Sequence, residues 1–289
     1  MKFWQSIAWV EPEQLVPVAK FAEELGFEGV LNADHAIYPE QVNARYPYSA
    51  DGKPPMNAND PYPDCWVSLA FIAAATTTLR ISTSVYVLPL RNPFEVAKAA
   101  GALSIFSDKR FALGVGAGWM KDEFDIYGVE FAGRGKRMDE MIAVMQKLWD
   151  GGMVEYHGQH YDFPRLQIEP APKQRVPIYV GGANRAALKR AAFVGDGWIG
   201  AGNTPDEVPA IMAELQALRQ QAGRADQPLE TIVGLNGSFP LDTYKHLQDQ
   251  GMTSGVAAPF RFTLGKHSSL DDKKRAMEAF AAKYITPLR

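Results

Sequence analysis

The feature that most constrains this chain is its alternation. Across 289 residues, short apolar runs and amphipathic runs follow one another eight times. The strand candidates are Lys2–Trp9, Phe27–Ala33, Leu79–Val87, Arg110–Val115, Pro177–Val180, Gly197–Gly200, Thr231–Leu235 and Thr253–Ala257. Helices are predicted at Pro12–Leu25, Asp64–Thr77, Pro93–Phe106, Arg134–Trp149, Arg185–Val194, Pro205–Ala222, Leu241–Gln250 and Leu270–Tyr284. In the first helix Leu15, Val18, Ala19, Ala22 and Leu25 share one face, and Gly26 stops it at C′. Pro93 suits a first helical turn, and Thr204 is the predicted N-cap of the helix after it. The strands are short and mostly apolar, as in a parallel sheet covered by helices. This predicts an α/β fold, a (β/α)8 barrel, with residues 1–289 as one domain. A doubly wound open sheet would carry its nucleotide loop after the first strand. Here that turn is Val10-Glu11-Pro12, without glycine.

Composition narrows the function by exclusion. A single cysteine, Cys65, rules out a disulfide framework and a zinc site built from several thiolates. Thirty basic against 33 acidic residues give a net charge of −3, so no nucleic-acid partner is expected. No apolar run is long enough to span a bilayer, so no membrane partner is expected either. The N-terminal residues lack the pattern of a signal peptide, which makes a cytoplasmic location the expectation.

A barrel keeps its chemistry at the C-terminal ends of its strands. The second strand ends in Asp34-His35. The loop that follows, about 36–63, holds six of the 20 prolines and Tyr38, Tyr46, Tyr48 and Tyr62. A loop of that length is usually functional, and its tyrosines favour a packed lid. Asp34 and His35 suit acid–base or hydride-transfer partnership, since histidine titrates near neutrality. A metal site or a backbone-satisfied pair are the other readings. No metal is expected, because His157 and His160 lie in a Gly-containing stretch without helical spacing. These two, with His246 and His267, are expected at the surface. Arg91 is either an anion ligand or an ordinary surface arginine. The run Gly114-Val115-Gly116-Ala117-Gly118-Trp119 implies backbone approached closely, for instance by a flat ring. The next residues, Met120 to Glu123, are not expected to open a tightly packed helix. Gly181-Gly182-Ala183-Asn184, directly before a helix and beside Arg185, is a candidate phosphate cradle.

Five stretches in this order resemble the luciferase-like monooxygenase superfamily, and more closely its branch using the deazaflavin coenzyme F420. They are LGFEGVLNADH (25–35), LRISTSVYVLPLRNP (79–93), KRFALGVGAGWMKDEFDIYG (109–128), RMDEMIAVMQKLW (137–149) and PIYVGGANRAALKRAAFVGDGWI (177–199). The resemblance implies a luciferase-like (β/α)8 barrel with the ring at the strand C-termini. It implies catalytic roles for His35 and Asp34, with Asp34 also beside the ring. It implies a non-prolyl cis peptide at Ser84-Val85 behind the ring. Cofactor contacts are implied at Gly116, Ala117 and Asp122, and phosphate contacts at Gly181, Gly182, Ala183 and Asn184. A homodimer is implied as well. Sugar-phosphate dehydrogenases of this branch carry a glutamate proton donor where this chain has Trp119, which argues for a different substrate and leaves the donor unassigned. Glu123 is near in sequence.

The expected activity is hydride exchange between F420 and a small organic substrate under the 36–63 lid. Tyr38, Tyr62, Trp66 and Trp119 are the expected apolar wall of the substrate pocket. An FMN-dependent monooxygenase of the same fold is the alternative, and a flavin-binding protein without activity is a further one.

Overall fold

The computed structural model describes residues 1–49, 51–172 and 174–288. Its strands are β1 (Lys2–Ser6), β2 (Gly29–Asn32), β3 (Arg80–Thr83), β4 (Tyr86–Val87), β5 (Phe111–Gly116), β6 (Val154–His157), β7 (Asp162–Leu166), β8 (Ile178–Gly181), β9 (Gly197–Asn203), β10 (Glu230–Leu235) and β11 (Ser254–Ala257). Its α-helices are α1 (Leu15–Leu25), α2 (Cys65–Ala75), α3 (Pro93–Phe106), α4 (Lys121–Tyr127), α5 (Arg134–Trp149), α6 (Arg185–Phe193), α7 (Val208–Gln221), α8 (Leu241–Asp249), α9 (Phe260–Leu264) and α10 (Leu270–Phe280).

The parallel strands run β1-β2-β3-β5-β8-β9-β10-β11, and β11 pairs again with β1. The sheet is therefore a closed barrel of eight staves, with β3 and β4 as two pieces of one stave. Four steps from Ser82 to Tyr86 face three from Ala112 to Val115, so one extra residue bulges out. The Ser84-Val85 peptide in that bulge is cis, at the position the resemblance implies.

Alternate strand residues divide the core, as the pleat requires. Trp4, Leu31, Ala112, Tyr179, Ile199 and Ile232 fill the barrel interior, with Val85 and Val256 packed against them. Outward residues such as Val30, Ile81 and Phe111 meet the helices. The floor of the barrel is polar. Arg80 binds Glu28 at 2.9 Å and Glu230 at 3.0 Å, and lies over the Trp4 ring. Tyr179 donates to Glu230 at 2.6 Å. These charges pair inside the strand N-termini, the end of such barrels that serves stability.

Several local expectations shift. The first strand stops at Ser6, and Trp9 adopts a left-handed φ of 59°. Gly26 caps α1 at φ 79° as expected. Thr204 is not an N-cap: α7 starts later, with Glu207 at the cap, and the Thr204 N–H donates to the Glu207 carboxylate. Lys121–Tyr127 forms a helix where none was expected. The antiparallel hairpin β6–β7 is an unpredicted insertion. It carries His157 exposed and bonded to Asp162, in keeping with a surface role.

Candidate functional site

Residues 33–35 leave β2 at the C-terminal rim and place Asp34 and His35 on a cleft of about 410 Å³. That volume lies within the range of roughly 300–1,000 Å³ usual for ligand sites. Tyr62, Leu90, Arg91 and Tyr127 line the cleft with them.

Asp34 is bound on two sides. Its Oδ2 accepts the Val87 N–H at 3.0 Å, and Arg91 Nη2 lies 3.2 and 3.3 Å from its two oxygens. Burial pushes its carboxyl up, and the Arg91 charge pulls the other way. Arg91 also donates from Nε to the Tyr86 hydroxyl at 3.0 Å. It is thus neither a free anion ligand nor a surface residue, the two roles weighed for it. Its charge is spent on Asp34 and its plane lies over Tyr86 and Tyr127.

His35 Nδ1 lies 3.0 Å from Glu123 Oε2, and Glu123 Oε1 accepts the Ala36 N–H at 3.1 Å. The Glu123 side chain is 1% exposed. Sequence reasoning left its reach open. The signal was there in the acidic pair Asp122-Glu123, which suits a helix first turn, followed by Gly128 as its stop. No group among the described residues bonds the other ring nitrogen, Nε2.

The lid crosses the barrel mouth. Asp122 accepts from Asn43 N, Asn43 Nδ2 and Ala44 N at 2.9–3.1 Å. These bonds hold its carboxyl below the ordinary carboxylate range against the opposing effect of burial. Asp122, which the resemblance implies beside the cofactor, accepts with both carboxylate oxygens from the lid. At the other end Asp60 is bound by Arg261, which lies over Trp9. Between these ties runs a row of rings, each edge-to-face with the next: Tyr48, Tyr46, Trp119, His35, Tyr62, Trp9 and Phe262. Burial pushes Tyr46 up to about 12 and raises Tyr48 and Tyr62 too, so these phenols are neutral near pH 7.

The expected apolar wall is only partly assembled. Tyr62 and Trp119 flank His35. Tyr38 lies within the lid, donating to the Met56 carbonyl at 3.1 Å. Trp66 is elsewhere: it packs on Phe111 in the helix layer and donates to the Tyr86 hydroxyl at 3.0 Å.

The glycines have a nearer cause than a bound ring. A Cβ on Gly116 would lie 2.5 Å from Val85 Cγ2, and one on Gly181 2.6 Å from Val85 Cγ1. Both glycines make room for the bulge residue. Ser84 ties the same bulge to the second stave, its N–H donating to Asn32 O at 2.6 Å. Ala117 packs against the outer core. Gly182, Ala183 and Asn184 lead into α6, where Asn184 caps the helix through Ala187 N. Gly182 takes a φ of 122°. Arg185 stands exposed beside it. The N–H groups of Arg185 and Ala186 have no acceptor among the described residues, as helix starts leave them.

The luciferase-like monooxygenase family model matches residues 5–238. This chain belongs to that family. Within it, an uncharacterized protein of Mycobacterium tuberculosis is 38% identical over 289 residues, covering 99% of each chain. An F420-dependent glucose-6-phosphate dehydrogenase of Nakamurella multipartita is 28% identical over 275 residues, covering 92% of this chain and 76% of that one. In fold, the coenzyme F420-dependent tetrahydromethanopterin reductase of Methanopyrus kandleri superposes with a TM-score of 0.75 over 100% of this chain and 99% of that one, at 15% identity. The family comprises oxidoreductases and monooxygenases. No helix among the described residues is long and apolar enough to cross a membrane, and no cluster of His, Cys, Asp and Glu among them has the grouping of a metal site.

Proposed function

We propose that this chain is an oxidoreductase exchanging hydride between coenzyme F420 and a small organic substrate at the barrel mouth, with His35 exchanging the matching proton. The observation that carries the reading is His35 itself. It sits on the cleft with one ring nitrogen engaged by Glu123 and the other unbonded among the described residues, the arrangement a general acid or base needs.

The residues present fit such a coenzyme. Val85 offers an apolar surface at the top of the barrel core. The open N–H groups at the start of α6, with Arg185, suit an anionic tail. Asp34, held by Arg91 and Val87, stands beside His35 at the cleft. When bound, F420 supplies or accepts the hydride at its ring. The chain's own part is to orient both reactants, to exclude water beneath the lid, and to move a proton at His35 Nε2. Trp119 stands where the resemblance to sugar-phosphate dehydrogenases implies a glutamate. That ring and the neutral tyrosines beside it favour an uncharged substrate over a sugar phosphate.

The names of the F420-dependent relatives support the coenzyme choice, and the family description keeps reduced FMN with oxygen as the rival. Fluorescence titration decides between them. F420 is expected to saturate, and tight FMN binding without F420 binding overturns the choice. His35→Ala is expected to lower turnover at least about tenfold while F420 still binds. Unchanged turnover would remove His35 from the reaction. We also read the chain as a homodimer, supported by Val67 and Phe71 exposed on α2 and Ile105 and Phe106 on α3. Light scattering that returns a monomer mass rejects that reading.

A further inference from the structure

We infer that Glu123 is a positioning residue that holds His35 as its Nδ1–H tautomer, so that Nε2 presents a lone pair to the cleft. The inference rests on His35 as the proton-exchanging group, but its first test does not.

The geometry is specific. Glu123 spends both oxygens on one short stretch of chain, Oε1 on the Ala36 N–H and Oε2 on the His35 ring. A carboxylate only accepts hydrogen bonds, so the ring nitrogen facing it carries the hydrogen. In a neutral imidazole the remaining nitrogen is then an acceptor. The ring plane is set by the same bond and by the edges around it, with Tyr62 at 88° and Trp119 at 76° to the imidazole. Among the described residues three charged or titratable groups adjoin His35, while Asp64, Glu95 and Tyr127 line the same cleft without bonding its ring. Glu123 comes from α4, Tyr62 from the lid, and Asp34 from the same segment with its charge offset by Arg91. Of these, Glu123 alone bonds the ring.

The alternative is that Glu123 merely fastens the start of the lid through Ala36. The two roles separate in the imidazole nitrogen spectrum. Histidine 15N–1H correlation spectra of the protein alone should show neutral His35 with the hydrogen on Nδ1. In Glu123→Gln, which keeps an oxygen for Ala36 but can also donate, that preference should be lost. Steady-state turnover of Glu123→Gln with F420 should fall at least about tenfold, since an amide in place of an orienting carboxylate disrupts the tautomer while leaving geometry intact. F420 affinity should stay within about threefold, and Glu123→Asp should recover part of the turnover. Wild-type His35 carrying its hydrogen on Nε2 overturns the inference. So does a Glu123→Gln protein with the wild-type tautomer. Because the spectrum needs no coenzyme, failure of the F420 reading alone would leave this result standing.

Discussion

Asp60 and Arg261 meet through two hydrogen bonds, Oδ2 to Nη1 at 2.7 Å and Oδ1 to Nη2 at 2.8 Å, although 201 residues separate them in the chain. The pair is largely buried, with the Asp60 side chain 2% exposed, and Arg261 also donates to the Pro55 carbonyl. Such two-pronged pairs are among the stronger polar contacts. It fastens the far end of the lid to the rim after β11. Arg261→Ala leaves Asp60 with the neutral Asn57 N–H at 2.7 Å and the more distant Lys266 ammonium at 3.6 Å. Breaking a buried pair from one side costs about 3–5 kcal/mol, and here the cost falls on the lid. Hydrogen exchange should therefore accelerate at least about tenfold over 38–62, with the barrel strands unaffected. Unchanged lid exchange would show that the clamp does not hold it.

Val85 and the two glycines that face it form a second testable relationship. Gly181→Ala places a methyl 2.6 Å from Val85 Cγ1. Overpacking of this kind costs about 1–3 kcal/mol. Urea denaturation should register that loss, and adding Val85→Ala should recover part of it. A double variant no better than the sum of the two single ones would show that the clash lies elsewhere.

Glu23 supplies a pH-dependent contribution far from the cleft. Its Oε1 accepts the backbone N–H groups of Thr77, Thr78 and Leu79 and the Thr78 hydroxyl. Burial opposes the charge, but these donors prevail and bring the carboxyl down from 4.5 to about 2. A carboxyl depressed by folding stabilises above its unfolded value, and that stability is lost as pH falls through the folded one. Discounted for solvent screening, Glu23→Gln should cost about 1–2 kcal/mol at neutral pH. The difference from wild type should shrink by more than half near pH 3. A gap independent of pH would assign the effect to packing.

Asp34 has the opposite sign. Its carboxyl is raised by burial, so between the unfolded value and the raised folded one the folded state binds more proton than the unfolded chain. Stability then falls as pH rises from the unfolded value of 3.8 through the raised folded one. Arg91 limits that loss. In Arg91→Ala the window extends upward, so the stability gap to wild type should be smallest near about pH 4 and widen toward about pH 7. A constant gap across that range would mean Arg91 acts through its contacts with Tyr86 and Tyr127 instead.

The barrel was legible in the chain because its signals are local. Runs such as Leu79–Val87 and faces such as Leu15–Leu25 depend on near neighbours, and Gly26 and Pro93 punctuate them where expected. The position of Asp34-His35 followed from the strand that ends there. The partners did not follow, because they are settled by tertiary distance. Glu123 reaches His35 across 88 residues, and Asp122 reaches Asn43 across 79. The glycine runs were legible as close approach, but the visitor is the chain's own Val85. Trp66 shows a related limit: an aromatic near a rim faces the mouth or the helix layer according to one step of rotation, which composition does not report. The β6–β7 hairpin breaks the alternation and has only short strands to announce it.

The packed interior and the ionic knot of Arg80, Glu28 and Glu230 beneath it close the described barrel at its strand N-termini. A molecule lodged at the His35 cleft therefore meets a foundation below it and not a tunnel through the described residues.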